Sequence, residues 1–182
     1  MILPSQEVIL NALSRIKYLP GTFKIKGDQT RELINSCEAG DILLKGYRGY
    51  GDSLFRKGRY HHAGIYLDSE HISHVVNGGV DTIDVIDFCR CDRLLILRLD
   101  IDIMDREYFI DHCLRRCEQF IEVTTRYDCE FQGICHRLYS LDLIQMAYRE
   151  FVFTRTNNKL TDIDIIQQPR FETIYGSEVN LI

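Results

Sequence analysis

Apolar residues recur at helical spacing near the start of the chain, at Val8, Ile9, Ala12, Leu13 and Ile16. Ser5 stands where an N-cap would, and Pro20-Gly21 stops the pattern, so a helix is expected over 5–17. A second short helix is expected from Thr30 to Ser36. The pattern then changes. A Gly40-Asp41 turn leads into an apolar strand, Ile42 to Lys45, and a polar, glycine-rich stretch, RGYGDSLFRKGRY, reads as a loop. HHAGIYL (61–67) reads as a strand, Asp68 to Glu70 as a turn, and HISHVV (71–76) as the next strand, ended by Asn77-Gly78-Gly79. VDTIDVIDF alternates before a short helix or turn, and RLLILRL (93–99) is a continuous apolar run of strand length.

Helical periodicity returns over Asp105 to Val123, through Tyr108, Phe109, Cys113, Cys117, Phe120 and Ile121, and again over Tyr139 to Phe151, with Leu143, Ile144, Ala147 and Tyr148 on one side. Residues 127–135 are irregular. The tail, with Leu160 to Ile166 and Pro169, has no clear period. Helices, then clustered strands with short connections, then helices again predict an α+β fold with a mostly antiparallel sheet. The 182 residues fit one domain, with 1–37 as an N-terminal helical extension.

Composition narrows the function classes. A hydrophobic share of 45% and a charged share of 27% are those of a globular protein, and a net charge of −5 argues against a nucleic-acid binder. No stretch approaches the roughly 20 apolar residues of a transmembrane helix. The N-terminus lacks the layout of a signal peptide, and seven cysteines in a chain this long read as reduced thiols. Together these suggest a cytoplasmic protein, with export by a non-classical route as the other possibility.

The candidate chemistry centres on histidine. If the strands holding His62 and His74 form a hairpin, the two imidazoles can meet across the pair, as a general base and the group that orients it. Side chains alternate along a strand, so only one of His61 and His62 faces inward. A residue opening a packed helix would supply the nucleophile, and Tyr139-Ser140 lies where such a helix begins. The plainer readings are structural histidines, Ser140 as an N-cap and Asp142 as an acidic first-turn residue. Cys89, Cys91, His112, Cys113 and Cys117 do not have zinc-finger spacing, and Cys113 and Cys117 read as core positions. No metal or cofactor is expected. The glycine-rich stretch lacks the ending of a phosphate loop, and its Tyr50, with Arg48, Arg56 and Lys57, reads as a rim beside the His62 strand.

In order, GDILL (40–44), HHAGIYL, ISHVVNGGV (72–80), YDCEF (127–131) and YSLDLIQMAY (139–148) resemble the circularly permuted papain-like amidases and peptidases of the NlpC-type superfamily, the YaeF/YiiX-like group with poxviral relatives. The resemblance covers about residues 38 to 175 and leaves the segment before Glu38 uncovered. It implies His62 as base, His74 as the third polar residue (Ser73 being a near alternative) and Ser140 in the place of the cysteine nucleophile. Asp142 takes the place of the motif's glutamate, and Tyr127, Asp128 and Tyr139 support the site.

The implied activity is a thiol hydrolase or acyltransferase acting on an amide, thioester or ester of a peptide, acylated-protein or lipid substrate. A cysteine at 140 would be deprotonated by His62, with His74 fixing the tautomer and backbone N–H groups at the helix start holding the oxyanion. Serine at that position has three explanations: an engineered inactivating replacement, a natural serine hydrolase, or a catalytically dead member acting as a ligand- or peptide-binding module.

Overall fold

The computed structural model describes residues 23–48, 59–76, 79–126, 140–153 and 160–176. The expected helix over 5–17 lies outside them. The first helix described, α1, runs Gly27–Ser36 and begins before the expected Thr30. The Gln29 side chain accepts from the Lys26 backbone N–H at 3.0 Å, which satisfies a donor at the helix start and brings Gly27 and Asp28 into the first turn.

Four strands follow: β1 (Ile42–Gly46), β2 (His62–Tyr66), β3 (His71–Val76) and β4 (Gly79–Asp84). The short helix α2 (Val85–Phe88) is capped by Asp84, whose carboxylate accepts from the N–H groups of Ile86 and Asp87. Then come β5 (Arg93–Leu99), the long α3 (Ile103–Arg126), α4 (Ser140–Ala147), α5 (Asp162–Ile166) and β6 (Phe171–Gly176).

The strands form one antiparallel sheet in the order β4-β3-β2-β1-β5-β6. The α+β class and the antiparallel sheet agree with the sequence pattern. β6 was not expected. It is an edge strand with no buried residue, so it carries little of the hydrophobic signal that marks β1 and β5. The expected helix 139–151 is shorter: the Tyr148 carbonyl accepts from Phe151 and Val152, and the chain turns there.

Both faces of the sheet are covered, which explains why all five residues of β1 are buried. On one face Ile42, Leu44, Ala63, Ile65, Leu95 and Leu97 pack with Phe109, Cys113 and Cys117 of α3 and Leu143, Ile144 and Ala147 of α4. On the other, Leu43, Tyr66, Ile72, Leu94 and Ile96 pack with Leu33 of α1 and Val85 and Phe88 of α2. Strand alternation sorts the residues between the two cores. Residues 25–36 thus belong to a core: Ile25 and Leu33 are buried in the second one.

Arg98 ties the α1 end of the molecule to the sheet. Its Nε and Nη2 donate to the two Asp41 carboxylate oxygens at 2.9 and 2.7 Å, and further bonds reach Glu38 and the Ser36 carbonyl. Among the described residues no helix is long and apolar enough to cross a membrane.

Candidate functional site around two histidines

The register of three strands brings the histidines together. His62 opens β2 and pairs with Lys45 of β1, while His74 of β3 pairs with Gly64 of β2. His62 and His74 are therefore diagonal neighbours on one face, not directly opposed as a simple hairpin reading would place them. Gly64 between them leaves room for a third ring. A Cβ on Gly64 would meet Ile72 Cγ2 at 2.5 Å and Phe88 Cε2 at 3.0 Å. Over this gap His62 Nε2 and His74 Nδ1 lie 3.0 Å apart, with the rings nearly perpendicular. One nitrogen donates and the other accepts, so the bond links the tautomers of the two rings.

The setting holds both imidazoles neutral. Burial lowers the His62 pKa to about 3, with Lys45 and His74 adding to the shift. Burial and then Lys45 lower that of His74 to about 4. Lys45 itself is 7% exposed, and its Nζ sits 4.1 Å from the centre of the Phe88 ring. Burial pulls the Lys45 pKa down to about 8. The same Phe88 ring lies 5.8 Å from the His62 ring and 6.2 Å from that of His74. Lys45 and Phe88 went unnoticed in the sequence. A lysine inside the apolar run ILLKG is the only trace of them in the sequence, and the register that pairs it with His62 is not legible there.

Ser140 opens α4, as expected, and is buried at 9% exposure. With Leu143, Ile144 and Ala147 it forms one helical stripe, and those three residues belong to the core on the Ala63 and Ile65 face. The other end of the helix is fixed by Tyr148, whose hydroxyl donates to the Gly40 carbonyl, while the Gly40 N–H donates to Tyr66. The C-terminal end of α4 therefore sits near Tyr66, and its packing on Ala63 and Ile65 lays the helix against β2.

The two groups nevertheless lie on opposite sides of the sheet. His62 shares its face with Gly64, Phe88 and Lys45, whereas the Ser140 stripe packs on Ala63 and Ile65. No hydrogen bond joins Ser140 to His62 or His74 among the described residues. The expected approach of the Ser140 hydroxyl to the His62 imidazole is thus corrected: strand alternation turns the His62 ring away from α4. By the same alternation His61, half-buried and bonded through its N–H to the Lys45 carbonyl, is the histidine on the α4 side.

Of the other expected site residues, Asp142 lies half-buried in the first turn of α4, where an acid suits the helix dipole. Tyr50, Tyr127, Asp128 and Tyr139 lie outside the described residues. Ser73, the alternative to His74, pairs with Ile65, and its buried hydroxyl has no hydrogen-bond partner among the described residues. A scan against protein-family models finds no match, and a search of curated proteins finds none either.

Proposed function

We propose that this chain has a permuted papain-like acyl-hydrolase architecture and binds a peptide- or acyl-bearing ligand without turning it over. The observation that carries the second half is the separation of the His62 ring and the Ser140 stripe by the sheet. A general base must come within hydrogen-bond reach of the proton it removes. A serine hydroxyl without such a base is a weak nucleophile. Burial, with Lys45 and His74, also disfavours the charged form of the His62 imidazole, which makes it a weaker base.

The family half rests on the resemblance in five ordered blocks. The antiparallel sheet, the bonded His62–His74 pair and a helix that starts at residue 140 and packs against β2 support it. That same pair, a base with its orienting partner, favours a second reading, in which the chain is a hydrolase or acyltransferase.

Alkylation of Ser140→Cys with an iodoacetamide probe at neutral pH separates the two. The binding reading expects the new thiol to react no faster than an ordinary accessible thiol, and equally in His62→Ala and His61→Ala backgrounds. Fast, selective labelling that His62→Ala abolishes would establish the hydrolase reading instead. Loss in His61→Ala alone would also restore an enzyme, with the imidazole on the α4 side as its base.

A further inference from the structure

Away from the histidines, the segment Phe23–Gly27, helix α1 and helix α2 enclose an open hollow of about 530 Å³. That volume lies within the range of small-molecule sites. Phe23, Ile34 and Ile86 supply apolar wall, and Ile86 is 60% exposed, a large aliphatic side chain left in the open beside the hollow. Among the described lining residues Lys26, Arg31 and Arg90 carry positive charge and none is a carboxylate, and the Lys26 Nζ donates to the Phe23 carbonyl at 2.7 Å. In a chain of net charge −5 this is a local reversal of sign.

Two of these cations have acidic partners in exposed pairs. Arg31 faces Asp28 at 3.8 Å and Arg90 faces Asp87 at 3.2 Å, with all four side chains more than half exposed. Pairs of that kind hold weakly, about 0–1 kcal/mol, so both guanidinium groups can turn to a ligand. An apolar wall wants hydrocarbon and a cationic rim wants an anion.

We infer that this hollow binds a single-chain amphipathic anion, its hydrocarbon against Phe23, Ile34 and Ile86 and its carboxylate or phosphate head against Lys26, Arg31 and Arg90. The site uses none of His62, His74 or Ser140, so it stands whether or not the chain turns over a substrate.

Isothermal titration of the full chain, at low salt and below micelle-forming concentrations, tests it with decanoate, decyl phosphate, decyltrimethylammonium and inorganic phosphate. Decanoate or decyl phosphate should bind saturably at one site, and the better of the two identifies the head group. Decyltrimethylammonium and free phosphate should each bind at least about tenfold more weakly. Ile86→Asp and the double variant Arg31→Gln, Arg90→Gln change exposed side chains, and each should weaken the anionic amphiphile by at least about tenfold. No saturable binding of either anionic amphiphile, equal binding of the cationic one, or unchanged binding in both variants would overturn the inference. Tighter binding of free phosphate than of either amphiphile would overturn it too. The comparison of head groups uses the unaltered protein and does not depend on any variant folding.

Discussion

At the scale of single residues, the histidine pair ties the protein to pH in a definite direction. His62 is pushed from its ordinary 6.5 down to about 3, first by burial and then by Lys45 and His74. Between those values the unfolded chain takes up a proton that the folded chain refuses. The stabilising contribution is therefore complete above about pH 6.5 and is lost as the pH falls towards 3. The slope is at most about 1.4 kcal/mol per pH unit for this one ring. Urea unfolding at pH 7.5 and pH 5 should show the loss, and His62→Gln should flatten it. Equal slopes in the two proteins would contradict the burial of a neutral imidazole. The two histidines could be picked out in the sequence as candidates, because imidazoles in neighbouring strands are chemically conspicuous. Their partner Lys45 could not, because a lysine inside an apolar run acquires meaning only when the register sets it beside His62 and Phe88.

At the scale of elements, the fit of β2 against α2 depends on Gly64. Phe88, the last residue of α2, lies over the gap that the glycine leaves, between two histidines on adjacent strands. Gly64→Ala would force a methyl to within 2.5 Å of Ile72 and 3.0 Å of both Phe88 and the Ser73 carbonyl. The expected cost is that of an overpacked core, about 1–3 kcal/mol, seen as a lower urea midpoint with an unchanged slope. A midpoint equal to or above that of the parent protein would mean that the helix does not sit where described. The strands β1, β2, β3 and β5 were readable to within about a residue because most of their residues are buried, whereas β4, an edge strand with only Val80 buried, showed only as alternation. β6 was not readable, since an edge strand reading FETIYG carries little apolar signal of its own. The start of α4 at Ser140 was also readable, but its end was not: apolar spacing continues past Ala147, and the Tyr148 carbonyl closes a turn that no periodicity announces.

At the scale of the whole molecule, the sheet is a partition. Its two faces carry separate cores, one built with α3, α4 and α5 and the other with α1 and α2. A linear pattern of motifs gives the order of the histidine strands and the Ser140 helix, and so suggests a joined site. It cannot say on which face the helix packs. That choice follows from long-range burial, with Leu143, Ile144 and Ala147 seated against Ala63 and Ile65. Placed there, α4 lies on the face opposite the His62 ring, and strand alternation puts His61 on the α4 side. The proposal of binding without turnover depends on this partition more than on the replacement of cysteine by serine.

The most direct measurement is a nuclear Overhauser map of the His62 ring protons in labelled protein. Cross-peaks to the Phe88 ring, the Lys45 side chain and the His74 ring are expected, with none to Ser140 or Leu143. Cross-peaks from the His62 ring to the Ser140 β-protons, with those to Phe88 missing, would contradict the account and place the imidazole beside the helix start.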